Sequence, residues 1–396
     1  MPTQNFLYLE PLRNDMTIGV LKEPSDETRV SLLPEAVATL SKKGIAVLTE
    51  NGAGEQAFAD NTSYEKVGAQ VSSREEVIQS SEIILSIHPP GKSDPDSYRT
   101  PNLKSKILIG VYFPLYEAEL MKQWAQQGIT SFSLDMLPRT TRAQTMDVLS
   151  SQANIAGYKA ALEAANLYPR YFPMFMTAAG TIAPAKVLIL GAGVAGLQAI
   201  ATARRLGAVV EVLDTRPAVK EEVISLGAKF IEVEGAADVS KAGGYAVEQS
   251  EEYKQRQEQK VADSIAKADI VITTAQIFGK KAPVLVTEQM LNTMRNGSVI
   301  IDIAAATGGN TPFTKNNETV RYNGVTIVGN SNLPATMPSD ASKLYGKNIL
   351  NFLQLITNKE GQINLNWDDD LVKGSCITHN GEVVNERVRS LVMHNE

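Results

Sequence analysis

The sequence predicts an α/β protein with two Rossmann-like, doubly wound parallel sheets and a cleft between the two domains. Short β-rich runs alternate with helical patterns from residue 16 to about residue 135, and this alternation is typical of a parallel sheet. A second alternating block starts at residue 186 with a strand that runs into a glycine-rich turn. A long helical pattern over residues 150–168 separates the blocks and is a candidate bridge between the domains.

The first block contains five predicted strands and two amphipathic helices. The helices, residues 33–44 and 117–128, each end on a glycine, which is a common C-terminal cap. The predicted strands are residues 17–21, 45–49, 82–87, 106–111 and 130–134.

The second block contains six predicted strands, a number that fits a doubly wound sheet. They are residues 186–190, 209–214, 229–233, 269–274, 298–303 and 325–329. Between the third and fourth of these strands, residues 234–249 have small side chains and little periodicity. We therefore predict a mobile binding loop there, followed by a charged helix over residues 250–268.

The tail of the chain lies outside this six-strand count. A long helix is predicted over residues 340–356, and Asn380-Gly381 within residues 377–384 indicates a hairpin turn. We expect the tail to return to the first domain, which is then discontinuous. The predicted domains are residues 1–150 with 335–396 for the N-terminal Rossmann-like domain, and residues 151–334 for the NAD(H)-binding domain.

Length and composition limit the function classes. The chain has 396 residues, a formal net charge of −6 and 43% hydrophobic residues, which indicates a globular protein of two or three domains. An acidic balance without a Lys/Arg cluster argues against nucleic-acid binding. The single cysteine, Cys376, excludes an internal disulfide and a Cys-cluster zinc site. Metal-ligand spacing is absent from the sequence, so no metal is expected.

The sequence contains no evident targeting signal. Residues 1–15 have neither a basic start nor an apolar run of signal-peptide length, and we interpret them as an extension. The nearly apolar run Val187–Ala203 is slightly short for a membrane span and contains three glycines, so a strand, a turn and a helix explain it better. We expect a cytoplasmic protein without a transmembrane segment.

A dinucleotide-binding motif opens the second block. Gly191, Gly193 and Gly196 directly follow the apolar strand 186–190 and lead into a helix. The first glycine permits a tight turn, the second lets the backbone approach a pyrophosphate, and the third lets helix pack on strand. The flanking strand and helix favour this function over glycines that only turn the chain.

The cofactor preference depends on Asp214, which ends the next strand 23 residues after Gly191. A carboxylate there accepts hydrogen bonds from the adenosine ribose and repels a 2′-phosphate, so NAD(H) is favoured over NADP(H). Arg216 weakens this preference slightly because it can pair with a phosphate, and a cap on a turn is the alternative role of Asp214. The glycine-rich strand exit Gly308-Gly309-Asn310 is equally consistent with a cofactor contact and a plain loop.

The sequence is poor in groups that reduce a keto acid, which needs a general acid and a cation. His88, in "SIHPPGK", is a candidate, although a polar loop residue is the more common explanation. The polar run 137–154 contains Arg139, Gln144 and Asp147 just before the bridging helix. It is either a solvated loop with a helix cap or part of a site at the domain junction, where ligand sites are common.

Five segments of the chain carry a family resemblance: "IGVLKEPSDETRVSLLPEAV", "PRTTRAQTMDVLSSQ", "GAGVAGLQAIATARRLGAVVEVLDTR", "AGGYA" and "GSVIIDIAAATGGN". Together they resemble the NAD(H)-binding portion (domain I) of the alpha subunit of proton-translocating NAD(P)(+) transhydrogenase, from about Thr17 to Cys376. Alanine dehydrogenases are a related family and use an Arg, a Lys and a His on their substrate. Arg29 matches the first position, but His88 stands at the Lys position and Pro114 at the His position.

This resemblance implies direct hydride transfer between NADH and NADP+ held on a partner subunit, coupled to proton translocation by a separate membrane subunit. Hydride transfer between two nicotinamides needs no general acid, only alignment of the rings, which fits a chain without a catalytic histidine. A homodimer that associates peripherally with the membrane through its partner subunits is also implied. Two other interpretations stay open: an alanine dehydrogenase-like amino- or keto-acid oxidoreductase, and a non-catalytic NAD-sensing module.

The resemblance also implies site residues. Arg139, Gln144 and Asp147 are the expected catalytic residues beside the nicotinamide. With the glycine motif included, the expected NAD(H) contacts are Arg139, Thr140, Thr141, Arg142, Gln144, Thr145, Met146, Asp147, Gly191, Ala192, Gly193, Val194, Gly196, Asp214, Thr215, Arg216, Gly244, Tyr245, Gln257 and Gln276. The family often has Leu-Ile-Pro where this chain has Gln276-Ile277-Phe278, which makes the contact at Gln276 less secure.

Overall fold

The computed structural model describes residues 16–90, 103–233 and 251–394. The chain divides into two compact units, Met1–Leu149 with Pro338–Glu396, and Ser150–Met337. Each unit is built on one large sheet with helices, which confirms the predicted two-domain α/β fold class. The predicted loop over residues 234–249 lies outside the described residues.

The strands in the described ranges are β1 Thr17–Val20, β2 Ala46–Glu50, β3 Gln70–Ser72, β4 Ile83–Leu85, β5 Ile107–Gly110, β6 Thr130–Ser133, β7 Phe175–Thr177, β8 Gly180–Ile182, β9 Lys186–Leu190, β10 Val209–Leu213, β11 Lys229–Phe230, β12 Ile270–Thr273, β13 Val299–Asp302, β14 Thr319–Tyr322, β15 Val325–Val328, β16 Cys376–His379 and β17 Glu382–Val383.

The α-helices in the same ranges are α1 Pro34–Ser41, α2 Asn61–Glu65, α3 Arg74–Ser80, α4 Ala118–Gln126, α5 Val148–Leu167, α6 Val194–Arg205, α7 Lys220–Ser225, α8 Glu251–Ile265, α9 Glu288–Leu291, α10 Pro338–Leu355, α11 Asp370–Ser375 and α12 Glu386–His394. Gly44 (φ 77°) and Gly128 (φ 71°) follow α1 and α4 in the left-handed conformation, as the sequence predicts for these two helix ends.

The sheet of the first unit has the strand order β17-β16-β6-β5-β4-β1-β2-β3 in the described part. The strands β1 to β6 are parallel to their neighbours. β4 and β5 are buried along their whole length, as strands covered on both faces must be. The order reverses at β1, so the ends of β1 and β4 form the switch point at which open α/β sheets bind ligands.

The C-terminal segment joins this sheet. β16 pairs antiparallel with β6, and β17 pairs with β16 through the hairpin that the sequence predicts. Asn380 (φ 50°) and Gly381 (φ 86°) both have positive φ, as the central residues of a type I′ turn require. α10 buries Tyr345, Ile349 and Phe352 in the hydrophobic core of the same unit.

The sheet of the second unit has the order β11-β10-β9-β12-β13-β15-β14 in the described part. All neighbouring strands are parallel except β14, which is antiparallel to β15. The order reverses at β9, between β10 and β12. The switch point of this sheet is therefore the carboxyl end of β9, where the glycine-rich turn begins.

The strand predictions for the second unit need two corrections. The strand predicted over residues 229–233 is only two residues long in β11, because it lies at an incompletely buried edge of the sheet. β14 was not predicted, because its edge position leaves it exposed or half-exposed and its sequence "TVRY" lacks an apolar run. The separate two-stranded sheet of β7 and β8 was also not predicted.

Within the described residues, no helix is at once long enough and apolar enough to cross a bilayer. Over the same residues, no cluster of three or more His, Cys, Asp or Glu side chains is placed to hold a metal ion.

Candidate dinucleotide site and polar loop

The glycine-rich turn between β9 and α6 has a backbone that two of its glycines require. Gly191 has φ 105°, and a Cβ on it would lie 2.4 Å from Thr274 Oγ1. A Cβ on Gly196 would lie 1.9 Å from the carbonyl oxygen of Gly191, so helix and turn approach too closely for a side chain. A Cβ on Gly193 would meet nothing within 4 Å. Gly193 therefore borders open space, where a ligand has room.

α6 begins at this open space. Gly193 is its N-cap and provides no side-chain acceptor for the N–H groups of the first turn. Such N–H groups, together with the positive end of the helix dipole, attract an anion, and a strand–turn–helix unit of this kind commonly binds a pyrophosphate. The turn therefore fits the pyrophosphate of a dinucleotide.

Asp214, which directly follows β10, accepts four hydrogen bonds. Its Oδ2 accepts from the Ala192 N–H at 2.7 Å and from Arg216 Nη2 at 2.9 Å. Its Oδ1 accepts from the Arg216 N–H at 2.8 Å and from Arg216 Nε at 2.9 Å. Burial by itself would raise the pKa of Asp214, but the bonds from Arg216 and Ala192 outweigh burial and hold the pKa below its ordinary value. Asp214 thus ties the glycine-rich turn to the end of β10 as an anion.

This pairing bears on the predicted cofactor contact. A carboxylate has about four acceptor positions, and Arg216 and Ala192 use four at Asp214. A ribose that hydrogen-bonds to Asp214 must therefore replace the guanidinium on at least one oxygen. The turn-capping role and the ribose-binding role of Asp214 compete for the same lone pairs.

The second glycine-rich strand exit is part of a buried network. Asp302, at the end of β13, accepts from the Asn310 N–H and from Thr314 Oγ1, each at 2.6 Å. Asn310 Nδ2 donates in turn to the carbonyl oxygens of Ala275 at 2.9 Å and Pro283 at 2.8 Å. These bonds join the exits of β12 and β13, so Asn310 has a structural role in this loop.

The other expected contacts of the second unit are dispersed. Gln276 is exposed, with Nε2 3.3 Å from the carbonyl oxygen of Ile303. Gln257 lies half-buried on α8. Gly244 and Tyr245 lie outside the described residues.

The polar run of the first unit folds into a 3-10 helix, Thr141–Met146, shortly after β6. Side chains three residues apart share one face of a 3-10 helix. Ala143 and Met146 are such a pair, and both are buried in the core of the unit. Gln144 is therefore directed to the opposite, exposed face together with Thr141, Arg142 and Thr145. Burial of one apolar face is the reason that these polar groups are presented together.

Arg142 does not have a free guanidinium. Its Nη2 donates to Asp369 Oδ2 at 2.5 Å, and its Nη1 donates to Asp370 Oδ1 at 3.2 Å. Arg139 is exposed and Asp147 is half-buried at either end of the 3-10 segment. The structure thus brings the expected residues together as two groups, one on the 3-10 segment and one at the glycine-rich turn, in different units.

A buried charge network lies at the switch point of the first sheet. Glu27 accepts from Arg29 Nε at 2.7 Å and Nη2 at 2.5 Å, and its Oε2 lies 2.8 Å from His88 Nε2. Glu23 accepts from the N–H groups of Ile87 at 2.5 Å and His88 at 3.2 Å. Sequence reasoning identified Arg29 and His88 but missed both glutamates. The segment "EPSDETR" carries the signal, since acids flank a buried arginine.

The two glutamates have opposite pKa shifts. Burial would raise the pKa of Glu27, but hydrogen bonds from Arg29 and His88 outweigh burial and lower it to about 2. Burial raises the pKa of Glu23 to about 7. Glu27 is therefore the permanent counter-ion of Arg29, whereas Glu23 changes its charge near neutral pH.

Comparison with known proteins places both halves of the chain. Residues 19–156 match the family Alanine dehydrogenase/PNT, N-terminal domain, and residues 160–386 match Alanine dehydrogenase/PNT, C-terminal domain. An NAD(P) transhydrogenase alpha-subunit protein of Rickettsia prowazekii, the first of the parts into which that subunit is divided, is 46% identical over 376 residues. These residues cover 94% of this chain and 97% of that protein.

Two further comparisons agree with this placement. The crystal structure of transhydrogenase from Sinorhizobium meliloti has a TM-score of 0.83 and 43% identity, and the match covers 93% of this chain and 100% of that chain. The alanine dehydrogenase of Bacillus subtilis is more distant, with 26% identity over 382 residues, or 94% of each chain. The chain belongs to the alanine dehydrogenase/PNT family, with greater similarity to these transhydrogenase proteins than to that alanine dehydrogenase.

Proposed function

We propose that this chain is the NAD(H)-binding subunit of a proton-translocating transhydrogenase. In this proposal, hydride passes directly between NADH on this chain and NADP+ on a partner subunit, and a separate membrane subunit couples the transfer to proton movement. The observation that carries the proposal is the Glu27–Arg29 pair, which neutralises the cation that a keto-acid enzyme needs. The identity of 46% to a transhydrogenase subunit supports it.

The same pair argues against the alanine dehydrogenase alternative. A keto acid binds through its carboxylate to a cation, and Arg29 is the cation at the matching position. Arg29 is buried and already bonds to Glu27 through two nitrogens. A substrate carboxylate would have to displace Glu27 and leave that charge buried and unpaired, at a cost of about 3–5 kcal/mol.

The binding of NAD(H) would use both faces of the glycine-rich turn. The N–H groups at the start of α6 would bind the pyrophosphate, because Gly193 leaves the approach open. Asp214 would accept a ribose hydroxyl in exchange for part of its bonding to Arg216. A 2′-phosphate would meet the Asp214 carboxylate at this position, so NADH is favoured over NADPH.

The chemical step would depend on alignment. The dinucleotide supplies the hydride, and no proton moves to or from the reacting carbons, so no general acid is required. Arg139, Gln144 and Asp147 would hold the two nicotinamides in contact. Gln144 has donors and an acceptor on one side chain and lies on the exposed face of the 3-10 segment, where it can bond to a nucleotide. Asp147 would accept from a carboxamide or from Arg139.

A homodimer is part of this proposal, and the β7–β8 hairpin supports it. All six strand residues of the hairpin are exposed, and the exposed fractions of Met174, Phe175 and Met176 are 61%, 43% and 70%. An isolated two-stranded hairpin is marginal in water unless another surface packs on it. A second copy of the chain would supply that surface. Light scattering on the Met176→Asp variant tests this, since a wild-type mass would contradict a dimer contact at the hairpin.

The decisive experiment mixes the purified chain with NADH, an NADP analogue and the cognate NADP-binding subunit. We expect hydride transfer in the mixture and none without the partner. Oxidation of NADH by pyruvate plus ammonia would instead support the alanine dehydrogenase alternative. Tight NADH binding with neither reaction would support the non-catalytic sensing module.

A further inference from the structure

The 3-10 segment Thr141–Met146 is fastened by side chains that are more than 200 residues away in the sequence. Asn348 Nδ2 donates to the carbonyl oxygen of Thr145 at 2.8 Å, and Asn351 Nδ2 donates to the same oxygen at 3.0 Å. The two asparagines lie three residues apart on α10, so they project from one face of the helix. One backbone carbonyl thus receives two side-chain donors.

The acceptor is next to Gln144 in the chain. The peptide plane that carries the Thr145 carbonyl begins one residue after Gln144, and Ala143 before it is buried in the core. The segment's own hydrogen bonds hold it weakly, because the Asp147 N–H lies 3.4 Å from the Gln144 carbonyl oxygen. α10 is firmly placed, since Tyr345, Ile349 and Phe352 fix its other face in the core.

Satisfaction of the carbonyl does not explain this arrangement. Thr145 is exposed, so water can reach its surroundings and a solvated carbonyl costs little. Two ordered amides on one exposed carbonyl therefore contribute little stability, whereas they restrict the direction of that carbonyl. Restriction matters where a side chain must align two reactants, because a misplacement of about 1 Å costs on the order of 10²-fold in rate.

We propose that Asn348 and Asn351 are positioning residues that fix Gln144 for hydride transfer by holding the Thr145 carbonyl. The proposal rests on the function proposed above, in which Gln144 aligns the two nicotinamides. Neither asparagine acts on a nucleotide, and both act through the backbone of the 3-10 segment.

The test compares Asn351→Asp, Asn348→Ala and their double variant in the full chain, reconstituted with the cognate NADP-binding subunit. Asn351→Asp keeps the shape of the side chain but removes its amide donor. Gln354→Ala is the matched control, because Gln354 is an exposed amide on the same helix. Three measurements are made on each variant: stopped-flow hydride transfer from NADH to an NADP analogue, equilibrium NADH binding, and hydrogen exchange of residues 139–147.

We expect each single variant to lose on the order of 10-fold in transfer rate and the double variant about 10²-fold, the cost of a ~1 Å displacement. The double loss should exceed the product of the single losses if one donor partly compensates for the other. NADH affinity and melting temperature should stay at wild-type values, and exchange over residues 139–147 should become faster. Gln354→Ala should change none of these quantities.

The Gln144→Asn variant separates failure of this proposal from failure of the proposed function. If Gln144→Asn is slow and the asparagine double variant transfers at the wild-type rate, the positioning role is wrong and the proposed function stands. If Gln144→Asn transfers normally, the role of Gln144 and the positioning role are both wrong. If the wild-type mixture transfers no hydride, the proposed function fails, and unchanged exchange in the double variant then overturns the clamp itself.

Discussion

Arg216 Nε and Nη2 donate to the two carboxylate oxygens of Asp214, at 2.9 Å each, at the point where β10 ends beside the glycine-rich turn. The residue predicted to bind the cofactor ribose is therefore bound to an arginine within its own strand exit. The Ala192 N–H and the Arg216 N–H complete its four acceptor positions.

Substitution of these two residues should have opposite effects. Asp214→Ala should weaken NADH binding by about 1–3 kcal/mol, because it removes the ribose acceptor and leaves polar groups unpaired. Arg216→Ala should bind NADH at least as tightly as the wild type, because the carboxylate no longer exchanges a guanidinium for the ribose. Calorimetric titration with NADH measures both, and unchanged affinity in Asp214→Ala would remove this residue from the site.

Two glycines of the turn should respond differently to alanine. Gly196→Ala places a Cβ 1.9 Å from the Gly191 carbonyl oxygen, so it should destabilise the fold by about 1–3 kcal/mol or more. Gly193→Ala meets nothing within 4 Å, so it should fold with a wild-type melting temperature and bind NADH more weakly. Calorimetric melting and NADH titration separate the two effects. Wild-type NADH affinity in Gly193→Ala would show that the pyrophosphate lies elsewhere.

Gln144→Asn should slow hydride transfer on the order of 10²-fold with little change in NADH affinity, because it shortens the reach by one methylene and keeps the amide. A group that only aligns the reactants acts on the transition state more than on ground-state binding. Stopped-flow transfer and equilibrium binding in the reconstituted complex measure the two quantities. A rate loss that is fully explained by weaker NADH binding would exclude the aligning role.

Glu23 should make the first unit less stable as the pH rises towards neutrality. Burial raises its pKa from 4.5 to about 7, so the folded chain keeps a proton that the unfolded chain releases. The penalty is absent below about pH 4.5, grows as the pH rises, and is complete above about pH 7, where it amounts to about 3 kcal/mol. Glu27 has the opposite shift, and its contribution is lost only as the pH falls from about 4.5 through 2.

Unfolding by urea at pH 5.5, 6.5 and 7.5 measures this effect. Wild-type stability should fall across the series more steeply than that of Glu23→Gln, which does not ionise. Equal slopes for the two proteins would show that Glu23 ionises at its ordinary pKa.

The sequence by itself determined the features that depend on neighbouring residues. Alternating apolar runs and helical periods led to the two-sheet fold class, and Asn380-Gly381 led to the hairpin turn. Gly191 and Gly196 were identifiable because a tight turn and a close helix–strand contact require glycine within a few residues of a strand end. Edge elements such as β14 escaped because an exposed strand needs no apolar run.

Only the tertiary structure decided which distant groups pair. Glu27 and His88 are 61 positions apart, and Thr145 and Asn348 are 203 positions apart. Strand order brings the first pair to the ends of β1 and β4, and the packing of α10 on the core brings the second pair together. Periodicity reports which face of an element is buried, but a hydrogen bond requires two elements at a fixed distance and angle. That distance is set by the order of the sheet and the packing of the core, which no local pattern encodes.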